Sequence, residues 1–220
     1  HDALPILWVK DMFILGSGDQ GLAVLSIYEG EVEGLVDIFD EGRFIGCKVL
    51  DKTVLGGLKW FEGLLLTLEK KPKAIVAFGD NFKREEIFCS YENKVEYTNV
   101  ICNSAKILKH SFLGKGNFIG TNVTIQALVE IGDNNIINSG SIVSCNCKIG
   151  NNVNISPGVI LSGNVKIDDN VFIGAGATIR DAVSIGFGAI IGAGATIIHN
   201  VPENAVVVGT PGKIIKYRSD

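Results

Sequence analysis

Ile149-Gly-Asn-Asn-Val-Asn-Ile155-Ser-Pro-Gly-Val-Ile-Leu161-Ser-Gly-Asn-Val-Lys-Ile167-Asp-Asp-Asn-Val-Phe-Ile173 carries an aliphatic residue at every sixth position. The period extends both ways, from Ile101 to Ile197, and all seventeen of its positions are Ile, Leu or Val. If about a third of residues were aliphatic, chance would give such a run with probability on the order of 10⁻⁸. Helix faces recur at 3.6 residues, so no helix keeps a six-residue stripe over this length. Two residues before each stripe position the side chain is usually small or β-branched, as at Val123, Val153, Val171, Ala177 and Ala195. A second period, of eighteen, sets the size of the coil. It runs through Gly116, Asn134, Asn152, Asn170 and Gly188, and through Asn122, Gly140, Gly158, Gly176 and Gly194. Glycine and asparagine enter left-handed backbone most cheaply, so these columns are read as corners. Three hexads per coil give a three-sided left-handed parallel β-helix over residues 98–220, with a C-terminal tail and five to six coils in 101–200.

The chain's 27 glycines, against only 5 prolines, follow no Gly-X-Y period and sit in a sequence that is 46% hydrophobic, which excludes collagen and a flexible linker. Twenty basic against 24 acidic side chains leave a net charge of −4, which argues against nucleic acid as a partner. Five cysteines without paired C-x-x-C spacing point to free thiols in a reducing cytoplasm, with no zinc site. Leu4 to Val9 is too short to span a membrane and lacks signal-peptide flanks. Residues 1–11 are read as an added or processed extension without functional weight.

Ahead of the hexads, residues 12–97 read as an α/β, Rossmann-like domain. Met12-Phe-Ile-Leu15 is an apolar strand running into Gly16-Ser-Gly18-Asp-Gln-Gly21 and the apolar stretch Leu22 to Tyr28. Strand, G-x-G-x-x-G turn and helix open a nucleotide-binding βαβ unit. Gly34-Leu-Val-Asp37 and Ala74-Ile-Val-Ala-Phe78 are two further strands ending in polar residues. Ligands of open α/β sheets bind beyond strand C-termini, so Gly16, Ser17, Gly18, Asp37, Gly79, Asp80 and Asn81 are expected to meet at one crevice. Residues 81–93 read as a helix whose charges, Lys83 and Arg84 among them, form a solvated face or reach a phosphate. The domain is small for a dinucleotide and suits a mononucleotide-linked ligand.

This combination resembles the bacterial sugar O-/N-acyltransferases of the sialic-acid and bacillosamine biosynthesis type. The resemblance covers residues 12–217. It rests on Phe13-Ile-Leu-Gly-Ser-Gly18, Gly34-Leu-Val-Asp37, Val54-Leu-Gly-Gly57, Ala77-Phe-Gly-Asp-Asn81, Ile155-Ser-Pro-Gly158, Leu161-Ser-Gly-Asn164 and Val206-Val-Val-Gly-Thr-Pro-Gly-Lys213. It implies a cytoplasmic homotrimer that transfers acetyl from acetyl-CoA to a nucleotide-linked amino sugar for cell-surface glycan. Gly16, Ser17, Asp37, Asp80 and Asn81 would hold the nucleotide sugar. Gly163, Ala175, Ala193 and Lys213 would hold CoA, small side chains leaving room for the pantetheine arm and the lysine meeting phosphate.

The chain departs from that family where catalysis is expected. Ser144-Cys145-Asn146-Cys147 puts Cys145 at the family's histidine and Asn146 at its orienting carboxylate, and Asn154 replaces a second histidine. The residues at the expected catalytic positions are therefore Cys145, Asn146 and Asn154. Cys147 falls in the inward column and is expected in the core, and His110 and His199 are expected at the surface. An amine substrate tolerates the loss of a general base better than a hydroxyl does. A non-catalytic nucleotide-sugar-binding or scaffold relative is the alternative reading.

Overall fold

The computed structural model describes residues 12–38 and 44–218. The expectation for residues 1–11 lies outside them. The chain divides into two compact units, residues 1–100 and 101–220.

The first unit is an α/β layer structure. Its elements are β1 (Met12–Leu15), α1 (Asp19–Ile27), β2 (Val32–Asp37), β3 (Lys48–Val49), β4 (Lys52–Gly57), α2 (Leu58–Leu65), β5 (Lys73–Val76), α3 (Asn81–Tyr91) and β6 (Glu96–Tyr97). The sheet order is β3-β4-β2-β1-β5-β6, parallel except for the β3–β4 hairpin. All four residues of β1 are buried, as suits a central parallel strand covered on both faces. Phe13, Phe61 and Tyr91 pack through the core as tilted ring pairs with centroids 5.1 and 5.6 Å apart. The order reverses at β1, with β2 on one side and β5 on the other, so the switch point lies at the C-terminal ends of these strands. The β3–β4 hairpin was not read from the sequence, since Lys48–Gly57 shows little alternation.

The second unit is the left-handed β-helix. Among the described residues, two-residue strands recur every six positions and stack in parallel register with the strand eighteen residues away. Three faces result. The first carries Ile136, Asn154 and Phe172 on its outer side, the second Ile142, Ile160 and Thr178, and the third Glu130, Lys148 and Lys166. The aliphatic stripe points inward and, from Ile119 to Ile197, is buried. At the first coil, which has a stacked neighbour on one side only, Ile101 is 39% exposed and Ile107 and Leu113 are partly buried.

Both Gly/Asn columns adopt φ between 56° and 71°, as their spacing demands. A third left-handed column was missed: His110, Leu128, Asn146, Asn164 and Ala182, with φ from 57° to 64°. Three of its five members are neither Gly nor Asn, which hid it. Side-chain ladders run along the corner between the third and first faces. Asn117 Oδ1 accepts from Asn135 N, and Asn135 Oδ1 from Val153 N, at 2.8 and 2.7 Å. At the far end, Ala205–Val208 joins the first face and pairs antiparallel with Lys213–Tyr217.

Candidate active site

In the first unit, Gly16, Ser17 and Gly18 follow β1, Asp37 ends β2, and Gly79, Asp80 and Asn81 follow β5. Three neighbouring strands thus deliver the seven expected nucleotide-sugar residues to one edge of the sheet. Their chemistry differs, however. Gly16 has φ 136°, and a Cβ there would run into the carbonyl of Ala77, so this glycine is required by the crossing of β1 and the β5 turn. Gly18 has φ −87° and a Cβ there would meet nothing within 4 Å. No backbone or packing demand explains Gly18, and the same open space surrounds Gly79. Asp37 is buried at the strand end.

The side chains of Asp80 and Asn81 have partners within the chain. Asp80 caps α3, its carboxylate accepting from Lys83 N at 2.8 Å. Asn81 Oδ1 accepts from Arg84 Nη2 at 3.0 Å. The charged face read onto α3 is also split. Lys83 pairs with Glu86 at 2.9 Å on the surface, whereas Arg84 is fully buried.

In the second unit, Cys145 and Gly163 stack on the corner between the second and third faces, where Asn164 N donates to the Cys145 carbonyl at 3.0 Å. The Cys145 thiol is exposed and donates to Gln126 Oε1 at 3.2 Å. Gln126, one coil away, is a residue that sequence reading missed, because its contact spans nineteen positions. Asn146 is exposed at φ 60°, so its asparagine answers the corner's backbone as well as any chemistry. Asn154 is buried on the first face, across the coil from the Cys145 corner, so a single chain does not bring these positions together. Cys147 is in the core as expected. Its thiol donates to the Ser162 carbonyl at 3.1 Å, and burial pushes it up to about 11. His110 and His199 are exposed.

Ala175 and Ala193 are exposed on the opposite edge of the second face, on successive coils, with Gly194 N donating to the Ala175 carbonyl at 2.8 Å. Gly163 is half-buried, and a Cβ there would press on the Asp181 carboxylate. The turn before Lys213 is tied to the end of this face through Gly212 N to Thr196 O at 2.8 Å. Cys145, Gly163, Ala175, Ala193 and Lys213 therefore frame one face, a strip three coils or about 14 Å long lined by Ile160, Thr178 and Thr196. The small residues along it fit a slender thioester arm, and Lys213, exposed at its end, fits a phosphate. A separate groove of about 600 Å³ lies on the third face, among Phe112, Glu130, Lys148, Lys166 and Phe187, and includes none of these positions. No cluster of three or more His, Cys, Asp or Glu suited to a metal occurs among the described residues. Nor is any helix among them long and apolar enough to cross a membrane.

The bacterial transferase hexapeptide family (six repeats) matches residues 146–181. No curated protein matches the chain. Among solved structures, PerB from Caulobacter crescentus in complex with CoA and GDP-perosamine is similar over 94% of this chain and 98% of its own, at 26% identity and TM-score 0.86. A variant of the perosamine N-acetyltransferase from that organism, with one histidine replaced by asparagine, is also in complex with CoA and GDP-perosamine. It matches at 27% identity and TM-score 0.86 over 96% of this chain and 98% of its own. The acetyltransferase domain of PglB from Neisseria gonorrhoeae, in complex with acetyl coenzyme A, matches at 27% identity and TM-score 0.83, covering 93% and 98%. Residues 146–181 thus match the bacterial hexapeptide-transferase model, and almost the whole chain is similar in structure to sugar N-acetyltransferases.

Proposed function

We propose that the protein is an acetyl-CoA-dependent N-acetyltransferase acting on a nucleotide-linked amino sugar. The observation that carries this reading is the match, over nearly the whole chain, to N-acetyltransferases bound to CoA and GDP-perosamine. The nucleotide would lie at the switch point beside Gly18, Asp37 and Gly79, and the thioester arm along the second face of the β-helix toward Lys213. Cys145 at the histidine position favours an amine as acceptor. A hydroxyl without a positioned base forfeits about 10²–10⁴ in rate. An amine whose pKa is about 8 is roughly one-tenth neutral at pH 7, a handicap of only about 1.4 kcal/mol. Its nitrogen attacks the thioester carbonyl, the carbon–sulfur bond breaks, and the proton passes to water or the departing thiolate. Asn146 and Asn154 serve as hydrogen-bonding positions rather than bases.

A homotrimer goes with this reading, since Asn154 and Cys145 lie on opposite sides of one coil and a neighbouring copy would complete the site. The free cysteines suit a reducing cytoplasm, and the product suits cell-surface glycan assembly. Loss of the histidine also favours a second reading, a relative that binds nucleotide sugar without turnover. Thiol release from acetyl-CoA with UDP-, dTDP- and GDP-amino sugars tests both. Turnover with an amine is expected. Binding of the sugar without thiol release supports the second reading, and acetylation of hydroxyls alone overturns the amine assignment.

A further inference from the structure

Arg84 is among the largest fully buried side chains of the described residues, although its guanidinium is charged and α3 has an exposed face available to it. Its side chain turns back beneath the segment that follows β5. Nη1 donates to the carbonyls of Phe78 and Gly79 at 3.1 and 3.4 Å, and Nη2 donates to Asn81 Oδ1 at 3.0 Å. Its backbone N–H donates to Asp80 O at 2.9 Å. One residue therefore grips each of the four positions of the turn, Phe78 to Asn81.

We infer that Arg84 is a positioning residue that fixes the β5–α3 turn in the form that receives the nucleoside diphosphate. The proposal rests on the nucleotide-sugar reading of this edge. A guanidinium presents its donors in a rigid planar fork, so it can hold two successive carbonyls and an amide oxygen at once. Each peptide is planar and trans, so a carbonyl drawn inward sets the direction of its own N–H. Arg84 thereby decides how the amides of Gly79 and Asp80 face, next to the open space at Gly79. Burial pulls the guanidinium down from 12.5 to about 9 although Asp80 and Glu85 oppose the shift, so the charge is carried at a cost. Packing alone would be met by Leu or Met, which suffer no such desolvation.

The test uses the full chain and three probes, GDP, UDP and dTDP, with calorimetry for their Kd and for that of CoA. Wild type is expected to bind at least one nucleoside diphosphate; failure to bind any overturns the nucleotide reading itself. With whichever probe binds, Arg84→Met and Arg84→Lys are expected to weaken Kd at least tenfold, and Asn81→Ala threefold to tenfold. Melting temperature and Kd for CoA are expected to stay near wild type. Unchanged nucleoside diphosphate affinity in folded Arg84→Met overturns the positioning role. If Arg84→Met does not fold, Arg84→Lys decides by the same measure. Loss of folding in both overturns the proposal, since Arg84 then serves the fold alone.

Discussion

The thiol of Cys145 donates to the side-chain carbonyl of Gln126 at 3.2 Å, across two stacked coils of the β-helix. A thiol committed as a donor to a neutral amide is not being deprotonated by it, because Gln126 has no basic atom to offer. The pair gives this corner an oriented polar surface and no general base.

Cys145→Ala is therefore expected to keep kcat/KM for the amino sugar within about threefold, and Cys145→His to raise kcat at least tenfold. Gln126 Oε1 is in place to accept from an imidazole N–H, leaving the other nitrogen as base, a role worth about 10²–10⁴. Steady-state kinetics read both variants. Loss of turnover in Cys145→Ala would show that the thiol itself takes part.

Gly16 and Gly18 separate fold from ligand. Gly16→Ala forces a Cβ against the Ala77 carbonyl and is expected to lower the melting temperature sharply. Gly18→Ala meets open space at an ordinary φ, so melting should be unchanged while KM for the nucleotide sugar rises about tenfold or more. Thermal melts beside kinetics distinguish the two effects.

Cys147 ties stability to alkaline pH. Its thiol is held at about 11 by burial, against an ordinary value of 9.0. Above pH 9 the unfolded chain releases this proton while the folded chain keeps it, so stability falls as pH rises from 9 towards 11. Denaturant melts at pH 8 and pH 10.5 are expected to show a smaller loss for Cys147→Ala than for wild type. Brief alkylation at pH 8 should mark Cys145, which is exposed, and spare Cys147.

Leu128 sits at φ 62° with its side chain 55% exposed. Leu128→Asn is expected to stabilise by about 0.5–1 kcal/mol, since asparagine enters left-handed backbone more cheaply and little core is lost. Asn135→Ala acts the other way. It removes the acceptor for Val153 N and the donor to Gly150 O inside a buried corner, at an expected cost of about 2–4 kcal/mol. Urea midpoints measure both.

Much of the β-helix was legible because each coil repeats its neighbour, so a side chain's environment recurs every eighteen residues. The same regularity places Cys147 in the core. The third corner column escaped, since Leu128 and Ala182 are held left-handed by the stacked coils and not by their own preferences. In the α/β unit the strands and their polar ends were readable from apolar runs, and the crevice followed from parallel topology. The division of labour among its residues was not: Gly16 and Gly18 look alike in sequence, and Arg84 looks like one more surface charge on α3.

By itself, then, the sequence determined the three-sided coil, its inward stripe, two of its corners and the edge at which the α/β strands end. These follow from local periodicity and backbone preference, which adjacent residues carry in full. Only the tertiary structure decided that Gln126 faces Cys145, that Asn154 lies across the coil from it, and that Arg84 folds inward under the β5 turn. Those relationships depend on which coil stacks on which and on where a long side chain finds its acceptors, and neither is written at any single position of the chain.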